Sequence, residues 1–112
     1  MVKEIKTKEE LETLLCDNQD KLIVIDFFAT WCGPCTRIAP KVHALSESDD
    51  YKEMCLFLKV DVDHTGDISE EYGIQAMPTF LFFKDGQKCG QFVGANVAKL
   101  KATIDENLVC KV

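Results

Sequence analysis

The stretch that decides the fold is LIVIDFFATWCGPC, residues 22–35. Residues 22–29 form a short, nearly continuous apolar run rich in β-branched and aromatic side chains, as expected for a central strand covered on both faces. Pro34 fits the first turn of a helix, because its missing N–H needs no partner there. The stretch therefore predicts a buried strand that leads through a cysteine pair into a helix at residues 33–46, kinked at Pro40.

Further strands and helices alternate on both sides of this unit. Thr7 and Glu10 have the spacing of a capping box, which starts the first helix. Asp85-Gly86 is a favoured hairpin pair that joins the last two strands, and Asn96 caps the last helix. The predicted strands are residues 2–5, 22–29, 56–62, 79–83 and 87–93, and the predicted helices are residues 7–16, 33–46, 66–72 and 97–108.

The order of these elements, βαβαβαββα, indicates the fold class. Right-handed crossovers make the early strands parallel, and the tight hairpin adds an antiparallel edge. We therefore expect an α/β fold with a central mixed β-sheet flanked by four helices. With 112 residues, 46% of them apolar, and with no repeat or long linker, the chain is expected to form a single domain, residues 1–112.

Charge and the first residues argue against several classes of partner. The net charge of -6 repels phosphate backbones and acidic lipid surfaces, and the lysines are scattered along the chain. We therefore expect neither nucleic acid nor a membrane as a partner. Residues 1–6 alternate charged and apolar side chains and contain no signal-peptide core, which favours a cytoplasmic location.

The chain has six cysteines, of which only Cys32 and Cys35 are close in sequence. In a reducing compartment such a pair is more often catalytic or metal-binding than a structural disulfide. A Cys-x-x-Cys is half of many zinc sites, but the other half is missing, because His43 and His64 form no closely spaced pair. The remaining cysteines stand alone: Cys16, Cys55, Cys89 and Cys110. We expect no metal ion.

A strand that leads straight into a helix places Cys32 at the helix N-terminus. Free backbone N–H groups and the positive end of the helix dipole stabilise a thiolate there and lower the pKa of the thiol. Cys35 lies one turn into the helix on nearly the same face, close enough to bond to Cys32 and more buried. We expect Cys32 to be the nucleophile and Cys35 to be the resolving thiol.

Asp26 is the one charged residue in the apolar strand. A buried carboxylate is costly unless it is paired or protonated, so burial would raise its pKa. The alternative is a carboxylate turned to an edge and solvated, since periodicity alone does not determine burial.

Four motifs in this order and at these separations resemble those of the thioredoxin family, and the resemblance extends over essentially the whole chain. The motifs are Trp31-Cys32-Gly33-Pro34-Cys35, the preceding Asp26, Met77-Pro78-Thr79 and Val93-Gly94-Ala95. The resemblance implies the thioredoxin fold and a general protein-disulfide reductase that serves cell redox homeostasis. Its implied targets include peroxiredoxins, ribonucleotide reductase and methionine sulfoxide reductases.

The resemblance also implies the source of electrons. The sequence contains no Gly-x-Gly-x-x-Gly and no phosphate loop, so we expect no bound cofactor. Electrons would then come from NADPH through a thioredoxin reductase. Between the cysteines, Gly33 and Pro34 match the family's reducing members.

Residue roles follow from the same resemblance. It assigns Asp26 as the general base for the resolving thiol, Lys59 as the lysine beside it, and Asp63 as the partner of the Trp31 indole. Pro78 matches a cis-proline that faces the cysteines, although without the family it would be an ordinary proline at the start of a strand. The implied substrate-binding rim comprises Trp31, Ala76, Met77, Pro78, Val93, Gly94 and Ala95. For Val93 the alternative to a role in this rim is ordinary packing in the core.

Two other functions are alternatives. A disulfide-forming or isomerising protein of this fold would more often carry a histidine between the cysteines and a secretion signal, and we find neither in this sequence. A binding module would use the apolar groove without turning over disulfides. We expect a monomer located in the cytoplasm. The resemblance also implies that nuclear entry or export without a signal is open to a member of this family. Cys110, near the C-terminus, is expected to be exposed and able to link two chains on oxidation. Ala76 stands where vertebrate cytosolic thioredoxins carry an extra cysteine.

Overall fold

A computed structural model describes residues 1–108 of the chain. Within that range the order of elements is the predicted βαβαβαββα. The strands are β1 (Val2–Glu4), β2 (Leu22–Phe28), β3 (Cys55–Asp61), β4 (Thr79–Lys84) and β5 (Gln87–Val93). The helices are α1 (Lys8–Asp17), α2 (Gly33–Glu47), α3 (Gly66–Glu71) and α4 (Val97–Leu108).

Helix starts follow the predicted caps. The Thr7 hydroxyl accepts a hydrogen bond from the Glu10 N–H at 3.1 Å, and the Glu10 carboxylate reaches back to the Lys6 N–H at 2.8 Å. At the start of α4, Asn96 Oδ1 accepts from the Lys99 N–H at 3.0 Å. Each bond satisfies a backbone N–H that has no partner within the helix. Pro40 lies inside α2, which continues past it.

The five strands form one mixed sheet in the order β1-β3-β2-β4-β5. β3 runs parallel to both β1 and β2, whereas β4 is antiparallel to both β2 and β5. The hairpin turn between β4 and β5 places Asp85 at φ 54° and Gly86 at φ 77°. Two consecutive positive φ angles suit the twist of the flanking strands and favour this residue pair. The expected α/β architecture with a mixed sheet and four helices is therefore confirmed.

Helices cover both faces of the sheet. On one face, Ile23, Ile25 and Phe27 of β2 pack in a buried cluster with residues of α1 and α3, including Leu11 and Ile68. The other face forms a second cluster, in which Leu22 and Val24 pack with residues of α2 and α4: Ile38, Val42, Leu100 and Ile104. Because side chains alternate along a strand, Asp26 belongs to this second face and lies beneath α2.

Candidate active site

Cys32 is the N-cap residue of α2. Its backbone is extended at φ -84° and ψ 110°, and its Sγ accepts a hydrogen bond from the Cys35 N–H at 3.2 Å. Pro34 occupies the first turn. The Cys32 sulfur therefore lies where an N–H group and the helix dipole both stabilise negative charge.

Cys32 and Cys35 are joined by a disulfide, with their Cα atoms 5.3 Å apart. Both are buried, with 6% of Cys32 and 4% of Cys35 exposed, so the expected difference in burial is small. Their positions in the helix differ more than their burial does. Only Cys32 occupies the cap, whereas Cys35 faces the layer between α2 and the sheet.

Trp31 precedes the disulfide and is 68% exposed. Its Nε1 donates a hydrogen bond of 2.7 Å to Asp63 Oδ2, a residue 32 positions further along the chain. Asp63 follows the end of β3, which is the strand next to β2. The bond holds an exposed apolar ring beside the cysteines.

The loop before β4 reaches the disulfide from the other side. The Met77–Pro78 peptide bond is cis, as the resemblance implied. The Met77 carbonyl oxygen lies 3.7 Å from Cys32 Sγ, and the Met77 side chain packs against the cysteine pair. The Thr79 hydroxyl donates to the Ala76 carbonyl at 2.5 Å and closes this loop.

The segment after β5 completes the surroundings of the disulfide. The Gly94 N–H donates to the Pro78 carbonyl at 2.9 Å, so the two loops are joined directly. Gly94 has φ 122°, which a residue with a Cβ rarely adopts. Val93 is 50% exposed, which contradicts core packing for its side chain, and Ala95 is exposed. These contacts place Val93 and Gly94 next to the Met77–Pro78 loop.

Asp26 is buried, with 6% of its surface exposed, and the alternative of a solvated edge carboxylate is therefore wrong. Its Oδ1 has no hydrogen-bond partner among residues 1–108. Burial raises the pKa of Asp26 to about 7, and the positive charge of Lys59 acts in the opposite direction. Lys59 is the residue paired with Asp26 in the register between β2 and β3.

A cavity of about 270 Å³ connects the surroundings of Asp26 with those of Cys35. It is lined by Asp26, Phe28, Ala29, Thr30, Cys35, Thr36, Ala39 and Lys59. Thr30, Thr36 and Ala39 were not predicted as part of the site. Helical spacing is a signal for Ala39, because a residue four positions beyond Cys35 lies on the same face of α2.

The other cysteines lie away from this arrangement. Cys55 is buried, which raises the pKa of its thiol to about 11, and Cys89 is half-buried. The expectation of a half-buried or core side chain is wrong for Cys16, which is exposed. Its neighbour Leu15 faces the core, and adjacent helical residues point about 100° apart. Cys110 lies outside the described residues.

Residues 1–108 contain no group of three or more His, Cys, Asp or Glu side chains arranged to hold a metal ion. None of their helices is both long enough and apolar enough to cross a membrane.

Comparison with known proteins agrees with this geometry. The thioredoxin family model matches residues 2–106. Thioredoxin-1 of Schizosaccharomyces pombe is 49% identical over 96% of this chain and 100% of that protein, and Homo sapiens thioredoxin is 52% identical over 95% and 98%. The X-ray structure of Fasciola hepatica thioredoxin superposes with a TM-score of 0.89 at 46% identity, over 94% of this chain and 98% of that chain. The chain therefore belongs to the thioredoxin family and is a thiol-disulfide oxidoreductase that reduces disulfides in other proteins.

Proposed function

We propose that the chain is a general cytoplasmic protein-disulfide reductant in which Cys32 attacks the target and Cys35 resolves the intermediate. The observation that carries this proposal is the position of Cys32 Sγ at the N-cap of α2. There it is bonded to Cys35 and accepts a hydrogen bond from the Cys35 N–H. A thiolate is the attacking species, and the cap favours it at Cys32.

The proposed cycle has two exchange steps. The Cys32 thiolate attacks one sulfur of the target disulfide, forms a mixed disulfide and releases the first target thiolate. The Cys35 thiolate then attacks Cys32 Sγ, forms the Cys32–Cys35 bond and releases the second target thiolate. Two electrons pass from the cysteine pair to the target, and the protein leaves in the oxidised form described above.

Asp26 is proposed as the base that takes the proton from the Cys35 thiol. The shared cavity supports this role, because it gives the carboxylate a route to Cys35. A pKa raised to about 7 also suits the task, since such a group both accepts and releases a proton near neutral pH. Lys59 is proposed to keep Asp26 partly ionised by opposing the effect of burial.

The rim around the disulfide, in which Pro78 is buried and Trp31, Ala76, Val93 and Ala95 are exposed, is proposed to bind the target chain. Its residues are Trp31, Ala76, Met77, Pro78, Val93, Gly94 and Ala95. The Met77 carbonyl, 3.7 Å from Cys32 Sγ, is placed to accept a hydrogen bond from an extended target backbone. Asp63 supports this surface by holding Trp31. Gly33 and Pro34, both exposed, leave the approach to Cys32 free of bulky or charged groups.

Electrons are proposed to come from NADPH through a thioredoxin reductase, with no cofactor bound to the chain itself. Peroxiredoxins, ribonucleotide reductase and methionine sulfoxide reductases are the proposed targets. We infer a cytoplasmic monomer, with nuclear entry or export as in other members of the family. Cys110 is proposed to form an intermolecular disulfide under oxidation, and a dimer on non-reducing gels that Cys110→Ser removes would support it.

Reduction of insulin disulfides tests the proposed function. NADPH oxidation is followed with a thioredoxin reductase present, for the native chain, Cys32→Ser and the control Cys16→Ser. We expect the native chain and Cys16→Ser to turn over equally and Cys32→Ser to be inactive. A native chain without turnover would favour the binding module, and retained turnover in Cys32→Ser would contradict the role of Cys32.

A further inference from the structure

Asp26 borders a second cavity, which the proposed cycle does not use. This cavity has a volume of about 170 Å³ and is lined by Met1, Val2, Asp26, Ala39, Val42, His43 and Lys59. It shares Asp26, Ala39 and Lys59 with the cavity that reaches Cys35. Asp26 therefore lies between two spaces, and only one of them contains the resolving cysteine.

The two cavities follow one face of α2. Cys35, Ala39 and His43 are spaced four residues apart, so they lie on one side of the helix over a length of about 12 Å. Cys35 lines only the first cavity, Ala39 lines both, and His43 lines only the second. His43 is exposed, so the second cavity reaches the surface beside it.

Turnover requires Asp26 to lose the proton that it takes from Cys35. The first cavity adjoins the loop at Ala29 and Thr30, next to the surface on which the target is proposed to bind. The second cavity does not touch Cys35, and its far end at His43 lies two helical turns from that residue. The cavity is large enough for several water molecules, which need polar partners such as a carboxylate and an imidazole.

We propose that the second cavity is the port through which Asp26 exchanges its proton with solvent, with His43 as the polar side chain at its mouth. The Cys35 S–H bond breaks and its proton passes to the Asp26 carboxylate, while the sulfur keeps the electron pair that forms the bond to Cys32. The proton then leaves Asp26 for water in the second cavity and for bulk solvent past His43. The inference rests on the proposed role of Asp26 as the base.

The charge of Lys59 beside Asp26 favours this release. Lys59 faces it from β3, and His43 faces the second cavity from α2. Met1, whose amine is ion-paired with Glu47, lines the same cavity. The neighbour on β4 is the apolar Phe80. Lys59 is the charged group that acts on Asp26, and its positive charge favours the carboxylate form once the proton has a path to water.

A pH profile of the resolving step tests the port. Reduced protein is mixed with a disulfide-containing protein target in a stopped-flow instrument, and the slow phase is followed by fluorescence of Trp31, the single tryptophan. His43→Phe keeps a planar ring but removes the polar edge and narrows the mouth. His43→Gln keeps the polarity without an imidazole. His64→Phe makes the same change at an exposed histidine that lines neither cavity.

We expect His43→Phe to move the midpoint of the profile upward by about half a pH unit or more, because loss of hydration raises a buried carboxyl pKa. His43→Gln and His64→Phe should stay at the native midpoint. An unchanged midpoint in His43→Phe overturns the port. A shift in His43→Gln equal to that in His43→Phe also overturns it, since charge would then explain the effect.

Asp26→Asn separates this inference from the proposal on which it rests. If Asp26→Asn abolishes the pH dependence of the resolving step while His43→Phe leaves its midpoint unchanged, the role of Asp26 as the base stands and the port fails. If Asp26→Asn leaves the pH profile of the resolving step unchanged, the proposed role of Asp26 fails, and the port fails with it.

Discussion

Asp26 and Lys59 are paired in the parallel register of β2 and β3, and both line the cavity that reaches Cys35. Burial raises the pKa of the Asp26 carboxyl to about 7, and the Lys59 charge acts against that rise. A carboxyl that is costly to ionise thus lies beneath the disulfide, so it should affect both folding stability and chemistry.

Asp26→Asn should stabilise the oxidised protein at pH 8. The folded pKa of Asp26, about 7, lies above the value of 3.8 for an unperturbed aspartate, so folding disfavours the ionised form. This destabilisation is absent below about pH 4, grows as pH rises through the interval between the two values, and is complete above pH 7. Its full size is on the order of 4 kcal/mol.

Urea unfolding of both proteins at pH 4 and pH 8 measures the difference. The gain from Asp26→Asn should be large at pH 8 and small at pH 4. Equal gains at the two pH values would show that Asp26 titrates normally. Asp20→Asn, which changes an exposed carboxyl, is the matched control and should alter stability little at either pH.

Lys59→Met should move the pH profile of target reduction upward. Removing the opposing charge leaves burial as the dominant influence on Asp26, so its pKa rises further. We expect a shift of about half a pH unit or more in the midpoint. Lys84→Met, at the end of β4, lines neither cavity next to Asp26 and serves as the control. A downward shift or none in Lys59→Met would contradict the assigned electrostatics.

Asp63→Ala should weaken reduction of protein targets more than reduction of a small disulfide. The variant removes the 2.7 Å bond that holds the Trp31 indole, so the ring loses its fixed orientation on the target surface. We expect KM for insulin to rise about threefold, the size of one hydrogen bond exposed to solvent. Asp63→Asn keeps an acceptor oxygen, so its KM for insulin should lie between those of the native chain and Asp63→Ala. Equal effects on both substrates would remove target binding as the explanation.

Gly90→Ala should destabilise the fold. A Cβ at Gly90 would lie 2.9 Å from both terminal atoms of Asn107, which is buried and donates to the Thr103 carbonyl at 2.8 Å. We expect a loss of about 1 to 2 kcal/mol by urea unfolding. Gly66→Ala, whose Cβ would have no atom within 4 Å, should be neutral or stabilising. The opposite ranking would contradict the close packing of α4 on β5.

Elements with a clear local signal were predictable from the sequence. The hairpin at Asp85-Gly86 and the caps at Thr7 and Asn96 depend on neighbouring residues, so a single sequence is enough to place them. The N-cap position of Cys32 follows in the same way from a strand that ends shortly before Pro34.

Features that depend on packing were harder to predict. Asp26 lies in a strand that is apolar on both faces, so alternation does not reveal its burial. The bond from Trp31 to Asp63 spans 32 positions, and only the family resemblance suggested it. The cavities beside Asp26 result from side chains of several elements, and no local pattern marked His43 as part of their lining.

Trapping of the mixed disulfide tests the central claim most directly. Cys35→Ser, in a background that also carries Cys16→Ser and Cys110→Ser, is mixed with a disulfide-containing target and analysed by mass spectrometry without reductant. We predict a covalent complex through Cys32 that dithiothreitol releases and that the further change Cys32→Ser abolishes. Full turnover by Cys35→Ser with no complex, or a complex through another cysteine, would contradict attack by Cys32 and resolution by Cys35.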